Sequence, residues 1–292
     1  MPLAEAIVLG TVQFGLPYGV ANKSGQLSDE QAEETMHIAR YSGIRMLDTA
    51  VSYGESEARL GLLGVKDMKV MTKLPPVPSD CMDVRGWVQS QVAGSLERLR
   101  LSRLHGLSFH RPEQLLEGAG RELYDAVCCL KKQGVVDKIG VSIYQPEELE
   151  RLLADHEFDM VQAPFSLFDR RLISSGWVDR LNALGCELHV RSVFLQGLLL
   201  MTAADRPVYF HRWQSLLYDW DSWLLEVGLS PLQACLRYVL SVPGIAKIVV
   251  GVDSPRQLED VLSAAAGPAP AVPARLCSVD LDLLNPSRWL QA

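Results

Sequence analysis

The sequence predicts a single (β/α)8 barrel, the closed α/β fold also called a TIM barrel, on three observations. Short apolar runs rich in β-formers alternate with longer amphipathic runs from the first residues to about residue 266, the pattern of parallel strands joined by crossover helices. There are eight runs of each kind, which favours closure over an open doubly wound sheet. The chain length of 292 residues also sits near the roughly 250 that one such barrel needs.

The expected strands are Ala6–Gly10, Ile44–Asp48, Lys69–Lys73, Gly106–His110, Lys138–Val141, Met160–Ala163, Glu187–Arg191 and Lys247–Gly251, each mostly apolar, as a strand covered on both faces must be. Helical periods run over Asp29–Tyr41, Glu55–Leu63, Val84–Leu99, Glu122–Gln133, Pro146–Leu153, Ser174–Leu184, Trp213–Leu225 and Arg256–Ala265. Ser, Asp or Pro opens several of them, where free backbone N–H groups need a cap. An open dinucleotide-binding sheet should show GxGxxG after its first strand, but here that strand runs into Leu9-Gly10-Thr11-Val12-Gln13-Phe14-Gly15. The long insertion before the last strand carries Trp213, Trp220, Trp223 and a second helix at Pro231–Leu240, and is expected to cover the barrel. Ala264 to Ala274, rich in Ala and Pro, is expected as a surface connection, and residues 267–292 as a tail docked on one domain spanning 1–292.

Composition excludes several classes of function. Hydrophobic residues make up 48% and charged residues 22%, an ordinary globular balance with material for a large core. The formal net charge is −7 with no basic run that could neutralise phosphates in series, so no nucleic-acid partner is expected. The apolar stretch Val193 to Met201 is interrupted by Gln196 and Gly197 and falls far short of the ~20 residues of a membrane span. No secretory signal is expected from Met1-Pro2-Leu3-Ala4-Glu5, which lacks a basic start. Six cysteines without CxxC spacing suit reduced thiols and no metal site. The expectation is a monomeric, cytoplasmic protein acting on a small molecule.

In a β/α barrel the chemistry is built where strands end, so polar residues at those ends are read first. Asp48 closes strand 2, Tyr53 follows in the next loop, Lys73 closes strand 3 and His110 closes strand 4. A tyrosine hydroxyl is a weak acid, and an adjacent ammonium favours its phenolate. A buried lysine tends to lose its proton unless a carboxylate holds it charged, the part open to Asp48. His110 is placed to donate a hydrogen bond to a carbonyl oxygen. No nucleophile with an activating base and no second carboxylate for glycoside hydrolysis is evident. The set points to delivery of a proton during carbonyl reduction.

Asp48-Thr49-Ala50 with Tyr53-Gly54, then Met71-Thr72-Lys73 and Phe109-His110, resemble in type and order the catalytic tetrad of the aldo-keto reductases. The resemblance extends over nearly the whole chain, through Gly140-Val141-Ser142, Gln162, Phe165 to Arg171, Arg191 to Gly197 and Gly251 to Asp260. It implies reduction of an aldehyde or ketone, with a nicotinamide cofactor across the barrel mouth and no metal. By the same resemblance, Ser142 and Gln162 would hold the carboxamide and Arg191 would lie by the nicotinamide. Ser192, Phe194 and Gly197 would meet the pyrophosphate, Gly251, Asp253, Arg256 and Gln257 the adenosine end, and Thr11 and Asp48 would also touch the cofactor. Three residues depart from the family pattern: Ile143 replaces an Asn, Arg191 replaces a stacking Tyr, and Asp253 lies where relatives place a Lys or Arg against the 2′-phosphate. NADPH is the expected cofactor, with Arg256 as the compensating cation and NADH as the alternative. Phe14, Tyr18, Val51, Phe165 and Phe194 are expected as an apolar rim for the substrate, and the first-strand loop is similar to a branch linked to sugars. The competing reading is a cofactor-carrying regulatory module with little turnover.

Overall fold

The computed structural model describes residues 3–289, and of Leu3 the backbone alone. Eight parallel strands close in chain order: β1 (Ile7–Gly10), β2 (Met46–Asp48), β3 (Lys69–Leu74), β4 (Leu104–Phe109), β5 (Val136–Ser142), β6 (Met160–Pro164), β7 (Glu187–Arg191) and β8 (Ile245–Gly251), with β8 paired back to β1. All eight coincide with expected strands, and several extend the expected bounds by one or two residues. The mouth is defined by register: Gly10 lies opposite both Asp48 and Gly251, Lys73 opposite Ser108, and Ser142 opposite Gln162.

The crossover helices are α1 (Asp29–Tyr41), α2 (Ser56–Leu63), α3 (Val84–Leu99), α4 (Gly120–Lys132), α5 (Glu148–Asp155), α6 (Trp177–Ala183), α7 (Gln214–Val227), α8 (Pro231–Leu240) and α9 (Pro255–Ala264). Their starts follow from capping chemistry. Ser28 and Ser230 each form a reciprocal capping box with the Gln three residues on, and Ser254 accepts from the Gln257 amide with Pro255 at the first helical position. One expected helix differs. Ser174–Leu184 is divided into a single turn at Arg171–Ser174 and α6, because Gly176, at φ 75°, takes a left-handed conformation that no helix continues through.

The core has two layers. Between strands and helices lies one continuous shell of aliphatic and aromatic side chains, from Ile7 through Leu284. Inside the barrel a small plug of Val8, Met46, Met71 and Met160 fills the lumen. Gly106 and Gly140 make room for it, since a Cβ at either position would collide with the Met160 side chain. Cutting Met160 back to alanine would leave a void worth roughly 2–5 kcal/mol.

The insertion between β7 and β8 buries Trp213, Trp220 and Trp223 against the barrel. Beyond α9 the chain runs across this insertion and the loop after β6: Arg170 Nη2, from that loop, donates to the carbonyls of Pro273 and Leu276, the Trp213 indole donates to Asp280, and the Trp289 ring meets Phe210 edge-on at 4.9 Å. The end of the expected tail, residues 290–292, lies outside the described residues. No helix among the described residues is long and apolar enough to cross a membrane.

Candidate active site

A cavity of about 630 Å³ opens at the C-terminal ends of the strands, and its wall includes Thr11, Asp48, Tyr53, His110, Ser142, Gln162, Arg191, Gly251 and Asp253. The end of β3 brings Lys73 up beneath this wall, where its ammonium is fully buried. Lys73 Nζ donates to Asp48 Oδ2 at 2.6 Å and to the Thr49 carbonyl at 3.0 Å, and it lies 5.1 Å from the centre of the Tyr53 ring. The Tyr53 and His110 rings meet edge to face at 6.0 Å. Four residues from three strand ends and one loop are thus one contiguous cluster.

The loop carrying Tyr53 is held in place by close backbone packing. A Cβ at Gly15 would overlap the Tyr53 carbonyl, and Gly54, at φ 55°, faces the Gly15 carbonyl in turn. Beneath the loop is a buried hydroxyl cluster: Thr11 Oγ1 donates to the Asp48 carbonyl at 3.0 Å, and Ser56 Oγ lies 2.8 Å from the Thr11 carbonyl and 3.0 Å from Thr49 Oγ1. Thr72, beside Lys73, donates to the buried Glu57 carboxylate, which Arg98 also engages. These contacts fix the ends of β1, β2 and β3 relative to one another.

Electrostatics follow from burial. Burial pushes the Lys73 ammonium below its ordinary pKa, with the Asp48 carboxylate opposing it. Burial, mainly, lowers the His110 imidazolium to about 4, with Lys73 and Arg191 adding to the effect, so the ring is neutral near pH 7. The sequence expectation had Lys73 making Tyr53 a stronger acid. Instead burial, followed by the Asp48 charge, raises the Tyr53 hydroxyl, and Arg191 is the cation that pulls it back. The reason is pairing: the Lys73 charge is largely spent on Asp48, while Arg191 has no carboxylate partner among the described residues.

The residues expected at the cofactor divide into two groups. Thr11, Ser142, Gln162, Arg191, Ser192, Phe194, Gly197, Gly251, Asp253 and Gln257 all line the cavity. Arg256 does not belong to that wall; it is exposed on α9, paired with Glu259 at 3.3 Å and Asp260 at 3.2 Å. Gln162 has a contact that the sequence did not suggest, its Nε2 donating to the second Asp48 oxygen at 2.8 Å, which leaves its own oxygen as the free acceptor. Ser52 Oγ at 3.3 Å from His110 Nδ1 was likewise not anticipated, since nothing in the local pattern ties residue 52 to residue 110. Three expected rim residues sit elsewhere, the half-buried Val51 among them. Phe14 turns into the core and Phe165 stacks on Tyr238, both fully buried, so Tyr144, placed just after β5, joins Tyr18 and Phe194 in the wall instead.

The loop after β7 fits a phosphate-bearing dinucleotide. Ser192, Leu195 and Gln196 adopt left-handed φ of 61°, 47° and 52°, a strain that non-glycine residues rarely carry away from functional sites. The amides of Ser192, Val193, Phe194 and Gln196 find no protein acceptor among the described residues, although all four residues line the cavity. Such turns of unclaimed N–H groups are concave anion receptors. Buried Gln13 Oε1, beside Gly251, is a further unpartnered polar atom in the same wall. Among the described residues no group of His, Cys, Asp and Glu could hold a metal.

The family model for the Aldo/keto reductase family matches residues 6–271. D-threo-aldose 1-dehydrogenase from a Pseudomonas species is 27% identical over 92% of this chain and 94% of its own. Glyoxal reductase from Bacillus subtilis is 30% identical over 58% of this chain and 60% of its own. The crystal structure of a putative aldo-keto reductase from Pseudomonas aeruginosa superposes with a TM-score of 0.66 at 25% identity, covering 89% of each chain.

Proposed function

The chain belongs to the aldo/keto reductase family and is a carbonyl-reducing oxidoreductase, and we propose that Tyr53 delivers the proton while Lys73, Asp48 and His110 prepare it. The observation that carries this reading is the Lys73 ammonium buried between the Asp48 carboxylate at 2.6 Å and the Tyr53 ring at 5.1 Å. A nicotinamide cofactor, when bound, supplies the hydride to the carbonyl carbon. Tyr53, held protonated by burial, gives its proton to the carbonyl oxygen. The Lys73 ammonium, its charge largely spent on Asp48, lies against the Tyr53 ring, and the Arg191 guanidinium is the cation that stabilises the phenolate that remains. His110, neutral near pH 7, takes a proton on Nε2 if the Ser52 hydroxyl donates to Nδ1, and so donates to the same oxygen. Asp48 is itself oriented by Gln162, which couples the end of β6 to the proton donor.

Ser142 and the free Gln162 oxygen are suited to a carboxamide, Arg191 to the nicotinamide face, and the Ser192–Gly197 turn to the pyrophosphate. For the finer choice we take NADPH. Its 2′-phosphate needs a cation, and the exposed Arg256 pairs with Glu259 and Asp260 only at the surface, where such pairs are weak and cheaply exchanged. The half-buried Asp253 carboxylate, held by Asn22 at 3.1 Å, works against that phosphate, so the preference is modest, about tenfold or ~1.4 kcal/mol. The substrate is a small polar carbonyl compound, a class to which the relatives named for an aldose and for glyoxal lend support. A monomeric, cytoplasmic enzyme completes the reading.

The test is a fluorescence titration with NADPH and NADH, followed by single turnovers against a panel of aldehydes and sugars. Oxidation of bound cofactor by several of them is the expected result. Tight binding with no oxidation by any member would favour a regulatory module. Arg256→Ala should erase the tenfold NADPH margin, and a native preference for NADH would reject the role given to Arg256.

A further inference from the structure

Two basic side chains stand in the cavity wall, Lys23 and Arg191. Lys23 is neutralised by Asp205 at 3.0 Å, and Lys73 beneath the wall by Asp48 at 2.6 Å. Arg191 alone has no acidic partner among the described residues, and it is held where it is. Its Nη2 donates to the Ile143 carbonyl at 2.9 Å, its Nη1 lies 3.3 Å from Ser192 Oγ, and its guanidinium carbon sits 4.6 Å from the centre of the Tyr144 ring. Glu148, an acid that feels the Arg191 charge, accepts instead from the amides of Tyr144 and Gln145. A fixed, half-buried positive charge therefore faces the reacting end of the cavity, beside Ser142 and Gln162. Water screens it poorly there, and its field reaches Tyr53 and His110.

We propose that Arg191 makes the site discriminate between the two oxidation states of its cofactor, holding the reduced form, whose ring is uncharged, in preference to the oxidised form, whose ring is a cation. This rests on the placement of the nicotinamide against Arg191, Ser142 and Gln162 given above. An aromatic side chain at this position would do the opposite, because its π-face attracts a cationic ring. The arginine inverts that preference by like-charge repulsion at short range. In the reducing direction the oxidised cofactor is a product, so a weak hold on it hastens its departure, a step that often limits turnover.

The experiment measures dissociation constants for NADPH, by its fluorescence, and for NADP⁺, by displacement of NADPH, in the native protein, Arg191→Gln and Arg191→Tyr. Circular dichroism establishes that each variant is folded. The native ratio of oxidised to reduced constants should be at least about tenfold. Arg191→Gln should bring it to within about threefold of unity, mainly by tightening NADP⁺, and Arg191→Tyr should lower it further. A native ratio near unity, or equal changes in both constants for Arg191→Gln, overturns the proposal while leaving the cofactor in place. If the glutamine variant moves neither constant, the nicotinamide does not lie against residue 191, and the placement fails together with the proposal. If the native protein binds neither form, the dinucleotide reading itself is lost.

Discussion

The two ends of this barrel carry nearly the same chemical groups and treat them in opposite ways. At the N-terminal end, Glu187 opens β7 and is shared between Lys138 at 2.5 Å and His189 at 3.2 Å, a hydrogen bond and a charge that hold its carboxyl down at about 2. Lys247 there donates to the Glu5 carbonyl, and Asp137 faces both Arg103 and His105. At the C-terminal end, Lys73 and Asp48 form a lysine–carboxylate pair of similar length, but it is sealed from water and flanked by a tyrosine pushed up, a histidine pushed down to about 4 and an arginine without a partner. Backbone strain is distributed the same way. Of the four non-glycine residues with left-handed φ among those described, three, Ser192, Leu195 and Gln196, lie at the mouth. One end satisfies its charges and the other keeps them in tension, which is how a fold separates the work of staying folded from the work of catalysis.

The sharpest contrast should come from substitutions at the mouth. Tyr53→Phe should lower turnover at least ~100-fold with cofactor affinity almost unchanged, the scale of a lost general acid. Lys73→Met should cost as much, and the double variant little more, since residues serving one proton transfer do not act additively. Steady-state rates with a reducible aldehyde decide it, and penalties that multiply would show that the two residues act independently. The matching substitution at the other end, Lys138→Met, should leave turnover within about twofold and cost stability instead, roughly 1 kcal/mol for a pair only partly screened from water. Thermal unfolding alongside kinetics checks this, and a large fall in turnover would erase the distinction between the two ends.

In the pH dependence of stability the ends separate by window, each shift acting over its own range. His110 has a folded pKa of about 4, below its ordinary 6.5, so the unfolded chain binds more protons between these values and stability should fall as the pH drops from 6.5 toward 4. Glu187 has a folded pKa of about 2 against 4.5, so its contribution is fully present above 4.5 and is lost as the pH falls toward 2. Urea midpoints measured across pH should flatten in the upper window for His110→Gln and in the lower one for Glu187→Gln. Exchanged windows would mean that the assignments are reversed.

Much of this was legible in the residues, and what was missed shares a physical cause. Strand ends were readable because a polar residue follows an apolar run there: Asp48, Lys73, Ser142 and Gln162 all line or underlie the mouth. Helices such as Asp29–Tyr41 and Pro231–Leu240 agree to the residue because their caps are local signals. The hidden contacts were long-range. Nothing within a few residues of Gln162 reveals that its amide is committed to Asp48, nor that Ser56 joins Thr11 and Thr49 in one hydroxyl cluster. The direction of the Tyr53 shift failed for a related reason, since the sequence offers the lysine without the strength of its pairing. Phe14 and Phe165 were misassigned because loop position alone does not say whether a ring faces the lumen or the core.

Gly15 has no clearance against the Tyr53 carbonyl, and Gly54 packs back upon it, so the first and second loops of the mouth behave as one rigid casting. A saturation library should register this as a pattern of tolerance. Position 15 should be nearly blank, because any side chain there displaces the proton donor, while Tyr144 and Phe194, carried on the loops after β5 and β7 around the same opening, should accept many replacements. The enzyme's capacity to acquire new substrates is therefore concentrated on the side of the mouth that does not touch the tyrosine loop. Changes of specificity in this lineage should accumulate there, with the casting inherited unaltered.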